Sequence, residues 1–306
     1  MTQNPKDTFL FRSYTDTIRG ICMLLIVFSH TANEFPGLIS ALHLSRVLQS
    51  GTFATGIFFF LSGYGLTLSL ERNSIDSRYL RRRLSRLFIP YLFFWAFYTA
   101  SFAVFNPSAV TYGWITDFLS LKMPEADTWF FRVIVCCCTI YMSLYKYVRN
   151  QAAALMALVT VTYMAVCMIY DVPSWWYNTV ICFPLGILHA KRKSLRTGGW
   201  RSLTALIILF IFSWKFYLYD MIIACGLLSV IVARMSVIPP MTRLRSTLLS
   251  FIGINSLWVY FMEAIPIDLI SSHHTGFFIY VSGGVIISVV LAFTGVKLYT
   301  LLKAHC

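Results

Sequence analysis

The chain reads as ten apolar runs separated by short polar stretches. They fall near residues 17–34, 52–70, 87–105, 128–147, 153–170, 175–190, 202–214, 216–233, 248–267 and 276–300. A helix crossing a bilayer takes roughly 20 apolar residues, so the pattern predicts an all-α, polytopic transmembrane helical bundle of about ten spans. Only Trp214 and Lys215 divide the seventh run from the eighth, which is close enough for one tight helical hairpin. The first run starts near Ile18 and is interrupted by His30, with no small-x-small cleavage site after it. It is read as a retained span and not as a signal peptide.

The polar stretches differ sharply in charge. Residues 71–86 hold Arg72, Arg78, Arg81, Arg82, Arg83 and Arg86, and residues 191–201 hold Lys191, Arg192, Lys193, Arg196 and Arg201. The alternate loops carry only Arg46, Lys122 and Lys215, together with most of the loop acids. The positive-inside rule then places both termini in the cytoplasm and makes the number of spans even. Composition agrees: of 306 residues 58% are hydrophobic and 12% charged, with a mean hydropathy of +0.70. That charge share is about half that of a soluble domain, too little polar surface to cover a globule. Disorder, collagen and coiled coil are excluded on the same grounds. The net charge of +13 is therefore a signal of topology, and nucleic acid is not an expected partner. Seven of the eight cysteines sit in apolar runs without CxxC or Cys/His spacing. They read as small packing residues, with no metal or disulfide implied.

A titratable side chain inside a span is costly and points to function. The chain offers His30, Arg132, Glu263 and, near an outer end, Asp220. His30 lies eleven residues after Arg19. At about 100° per residue that is three turns plus roughly 20°, so the two share a face about 16 Å apart. Asp16, three residues before Arg19, can pair with it across one turn. Arg132 inside the fourth span can pair with Glu263 or contact an acceptor. Trp129, on the same face as Arg132, also reads as an interfacial anchor. His43, His189, His273, His274 and His305 lie in loops or at ends and carry no comparable case. In Ser62–Gly63–Tyr64–Gly65, small residues suit close helix packing or leave room for a ligand.

These segments, in order, resemble the acyltransferase-3 family of integral membrane acyltransferases. TDTIRGICMLLIVFSH is similar to the family's opening helix, with Asp, then Arg-Gly, then His after the same spacing. GIFFFLSGYGLTLS resembles its Phe-rich second helix ending in Ser-Gly-aromatic. RRRLSRLFIPYLFF resembles its third-helix entry, in which Arg83 and Arg86 match an Arg-x-x-Arg pair and Pro90 and Tyr91 a Pro-Tyr. TWFFRVIVCCCTIY, PLGILHAKRK and SLWVYFMEAIP are similar to later segments. In one place the chain departs from the pattern: many members carry a late His where Glu263 stands here.

The resemblance implies a single acyltransferase domain over residues 1–306, with no fused soluble domain, in the inner cell membrane. It implies an acyl-CoA donor, usually acetyl-CoA, and no metal. The acceptor would be a hydroxyl of an envelope polysaccharide, a glycolipid or its precursor. His30 would be the base or nucleophile, with Arg19 on the same helix face at the cytoplasmic mouth. Arg83 and Arg86 would hold CoA phosphates, which planar guanidinium forks suit, and Ser62 and Gly63 would leave room for the thioester. Asp16, Tyr64, Trp129, Arg132 and Glu263 are the candidate substrate contacts. Membrane lipids surround such a chain, and a homodimer is one assembly open to it. Two other classes fit the same helices. A transporter or flippase of glycan precursors would use His30, Arg132 and Glu263 as a path, although paired broken helices are lacking. A non-catalytic partner in glycan synthesis would have no need of His30.

Overall fold

The computed structural model describes residues 12–33, 35, 50–105, 113–121, 128–191, 200–216, 221–235, 247–265 and 277–305. Among these every regular element is a helix. The elements are α1 (Arg12–Asn33), α2 (Ser50–Arg72), α3 (Ser77–Phe105), α4 (Gly113–Leu119), α5 (Trp129–Tyr147) and α6 (Ala152–Ile169). They continue with α7 (Cys182–Lys191), α8 (Trp200–Lys215), α9 (Ile222–Met235), α10 (Thr247–Ile254), α11 (Ser256–Met262) and α12 (Phe277–His305). Among the described residues four stretches are long and apolar enough to cross a membrane: Ser50–Arg72, Trp129–Tyr147, Ala152–Ile169 and Ser282–Leu301. Shorter apolar helices cover Ser202–Lys215 and Ile222–Met235. Leu158, Ile169, Ile208, Phe212, Ile286 and Val290 are exposed. A soluble surface rarely exposes so many large apolar side chains, and lipid is the solvent that suits them.

Local chemistry sets several boundaries. Asp76 caps α3 by accepting from the Tyr79 backbone N–H at 2.7 Å, the usual work of an N-cap carboxylate. Pro90 lies inside α3, where neighbouring helices can make good the missing bond. The run expected at 175–190 is helical only from Cys182; a 3-10 turn, Ser174–Trp176, precedes it. Pro173 has no N–H to give a helix, and the irregular residues after it are shielded, Thr179 being wholly buried. The run expected at 248–267 is broken at Asn255, between α10 and α11.

The chain divides into two compact units. The first holds α1 up to Cys22, α2 from Thr52, α5 from Val133, α6 to α9, and α10 up to Gly253. Two glycine crossings bring its backbones together. A Cβ on Gly63 would fall on the Phe183 carbonyl, and one on Gly186 on the Phe60 carbonyl, so α2 and α7 touch main chain to main chain. Gly20 meets the Leu249 carbonyl and Gly253 the Asp16 carbonyl, so α1 and α10 do likewise. Close approach through small residues is how helices gain packing energy where lipid is no less apolar than protein. The Tyr14 hydroxyl donates to the Val232 carbonyl at 2.8 Å and ties α1 to α9.

The second unit holds α1 from Met23, α3, α4, the first turn of α5, α11 and α12. Its centre is aromatic. Tyr91 stacks on Phe131 at 5.2 Å and on Phe118 at 5.8 Å, and its hydroxyl donates to the Phe118 carbonyl at 2.9 Å. Phe261 of α11 meets Phe131 edge-on at 5.0 Å. Trp258 lies against Phe93 at 5.3 Å, and Gly295 of α12 leaves room for its ring. Offset and edge contacts of this kind add about 0.5–1.5 kcal/mol each beyond burial, which gives α11 a fixed position.

Candidate active site

In the first unit the site residues belong to α1 and α2. Arg19 Nη1 lies 3.7 Å from Asp16 Oδ1, and Arg12 Nε lies 3.7 Å from Asp16 Oδ2. The Asp16–Arg19 pair expected from the one-turn spacing is therefore present. Arg19 keeps 31% of its side-chain surface exposed, Asp16 only 11%. Gly65 of α2 faces the Arg19 guanidinium, with room for a Cβ 4.0 Å from Nη2. Gly20 explains the residue after Arg19: only a glycine lets α10 pass there. Of the two uses considered for Gly63, close packing is the one with visible geometry. Ser62 is half-buried and Tyr64 buried.

In the second unit His30 occupies the last turn of α1. Its Nδ1 lies 2.9 Å from Glu263 Oε1. Glu263 is 3% exposed and ends α11, the helix that the aromatic cluster holds. Its other oxygen, Oε2, is buried without a hydrogen-bond partner. A buried carboxylate needs a partner to offset desolvation, and here that partner is His30, in place of the Arg132 considered from sequence. In the tautomer with Nδ1–H donating to the carboxylate, Nε2 is the ring nitrogen that can accept a proton. The imidazole keeps 44% of its side-chain surface exposed, so it is open to a ligand and not sealed in a core. A carboxylate on one ring nitrogen fixes the tautomer and stabilises the imidazolium that forms when the other nitrogen takes a proton.

The remaining candidates lie on α3 and α5. Arg83 is half-buried and Arg86 exposed. Trp129 is half-buried against the edge of Phe130, and Arg132, half-buried, donates its backbone N–H to Thr128. Among the described residues no group of three or more His, Cys, Asp or Glu is placed to hold a metal. Asp220, His43, His273 and His274 lie outside the described residues. His189, set aside as a residue near an end, is 2% exposed in α7 with its ring 5.5 Å from that of Phe60. The available signal was its i+3 spacing from Gly186, the glycine that brings α7 against α2.

The chain belongs to the acyltransferase-3 family: the family model described as an acyltransferase domain matches residues 12–296. It is thus a membrane acyltransferase, and its reaction uses an acyl donor. No curated protein and no solved structure matches it.

Proposed function

We propose that this acyltransferase moves an acyl group, usually acetyl, from cytosolic acyl-CoA to a hydroxyl of an envelope polysaccharide, a glycolipid or its lipid-linked precursor. The observation that carries the reading is the His30–Glu263 pair, a 2.9 Å contact in a chain of this family. An imidazole held by a carboxylate through one ring nitrogen is suited to general-base work at the other.

In the proposed reaction His30 Nε2 takes the proton of the acceptor hydroxyl as its oxygen attacks the thioester carbonyl carbon. The tetrahedral centre collapses, the carbon–sulfur bond breaks, and the leaving thiolate takes the proton from the imidazolium. Glu263, in contact with Nδ1, stabilises the cation between the two transfers. Arg83 and Arg86 stand one turn apart on α3, a spacing that suits two phosphate oxygens. The topology read from the loop charges, ten spans with both termini in the cytoplasm, lets the donor arrive from the cytosolic ends of the helices. The inner cell membrane is where such a donor and an envelope acceptor are both at hand.

Mass spectrometry of surface glycans from cells with and without the protein tests this. A shift of one acetyl group that disappears with the protein is the expected result, and its fragment names the acceptor. Glycans identical in both strains, together with no thioester cleavage by purified protein, would overturn it.

A further inference from the structure

At one end of the first unit α5 and α7 finish side by side, and the cations there face one ring. Arg149, just past α5, lies with its guanidinium carbon 5.3 Å from the centroid of Tyr145. Lys191, the last residue of α7, lies with its ammonium 5.8 Å from the same centroid. Tyr145 itself is 6% exposed and braced edge-on by Tyr141 at 6.1 Å. Among the described residues neither cation has a carboxylate within ion-pair distance.

We infer that Arg149 and Lys191, gathered on Tyr145, form a binding site for a phosphate group at the cytoplasmic end of the helices. Two like charges on one ring repel, and the aromatic face compensates each by only about 0.5–1 kcal/mol at an exposed site. Burial holds the Lys191 ammonium below the usual lysine range; Glu71 draws it back up, and Arg149 pushes it down again. One phosphate between them would relieve both costs. The negative ends of the helix dipoles favour cations at these places. They do not account for two cations converging on a single ring with no acid in contact. Arg149 offers a planar fork and Lys191 a mobile point charge, which together suit a phosphate monoester or diester.

A lipid headgroup and a soluble phosphate ester share this chemistry. The site is remote in sequence from Arg83 and Arg86, and it stands whether or not the chain transfers acyl groups.

The test uses the full chain in neutral detergent, titrated with phosphatidylglycerol, with phosphatidylcholine and with adenosine 3′,5′-bisphosphate. Binding is read by native mass spectrometry and by the thermal unfolding midpoint. The variants are Arg149→Gln with Lys191→Gln and, as a charge-matched control, Arg81→Gln with Arg82→Gln on exposed positions of α3. Wild type should bind phosphatidylglycerol or the bisphosphate, and whichever binds identifies the source. The first pair should weaken that binding by about five-fold per residue, the scale of one cation near an anionic surface, and the control pair by much less. Tyr145→Phe keeps the ring and should bind nearly as wild type. Equal losses in the two pairs would reduce the effect to a diffuse basic field and overturn the site. So would binding in wild type that the first pair leaves unchanged, or binding of neither phosphate ligand.

Discussion

Asp16 and Arg19 stand one turn apart on the N-terminal half of α1 and approach to 3.7 Å; His30 and Glu263, 233 positions apart, meet at 2.9 Å near its other end. The helix alone nearly dictates the first pair, since residues at i and i+3 share a face. It is loose, and Arg19 keeps about a third of its side chain exposed. The second pair exists only because α11 is pinned by Phe261 and Trp258. Both carboxylates are buried, but Asp16 has two arginines at 3.7 Å while Glu263 has the one short contact with His30, so Glu263 depends more on its single partner. A short contact that the fold must assemble is the better candidate for chemistry, and a long contact that the helix supplies is the better candidate for positioning.

The largest effect should come from His30. His30→Ala and His30→Gln should each lower acyl transfer by at least about 10² to 10⁴-fold, the scale of a positioned acid–base group. Gln keeps size and hydrogen bonding but shuttles no proton. Rates measured at matched protein levels decide the matter: a Gln variant near wild type would mean that the contact with Glu263 is structural. Glu263→Gln comes next, with a loss of about 10²-fold, what a misplaced reacting group costs. Glu263→Asp should recover part of it. A positioning role also predicts that the pH–rate profile of Glu263→Gln is displaced from that of wild type; a lower rate with an unmoved profile would assign Glu263 to packing. Arg83→Ala with Arg86→Ala should then weaken acetyl-CoA binding by about ten-fold or more, since hydrogen bonds to charged groups contribute roughly 1.5–3 kcal/mol. Lys at either place should restore only part, because it lacks the fork. Binding unchanged by calorimetry would leave both arginines to topology.

What the sequence made legible follows the same division. Helices over most of the apolar runs could be read directly, because run length is a one-dimensional property. The Asp16–Arg19 pair could be read because it is local. Glu263 was visible as a buried acid, but its partner was not: the sequence pointed to Arg132, and only packing brings His30 there. The break at Asn255 was hidden inside a run that is apolar on both sides, whereas at 174–181 the signals were present in Pro173, Asn178 and Thr179 but lay beside or within a run long enough to be read as a span. Gly20 was seen only as part of a motif; the reason for it is a carbonyl on α10, which no spacing reveals. His189 was passed over because its place next to a basic stretch resembles a helix end, while its burial depends on α2.

Gly253 gives a way to disturb the loose pair through the backbone. A Cβ there would fall on the Asp16 carbonyl, so Gly253→Val should destabilise the protein by about 1–3 kcal/mol, as overpacked sites do. A normal thermal midpoint would mean that α1 and α10 can part at little cost.

The smallest effect should come from Asp16→Asn. The substitution keeps shape and removes the charge facing Arg19 and Arg12. Arg12 is almost fully exposed, so nothing is lost there. Arg19 keeps 31% of its side chain exposed and the contact is long at 3.7 Å, so the pair should contribute only about 0–1 kcal/mol. The thermal midpoint should fall by at most a few degrees. Acyl transfer should stay within about ten-fold of wild type, the ratio that corresponds to roughly 1.4 kcal/mol. Arg19→Ala provides the comparison. If Arg19 acts on the donor, its loss should exceed that of Asp16→Asn in donor KM and leave the unfolding midpoint similar. Equal kinetic losses in the two variants would show that Asp16 sets the position of the guanidinium, and the pair would then be as demanding as the one between His30 and Glu263.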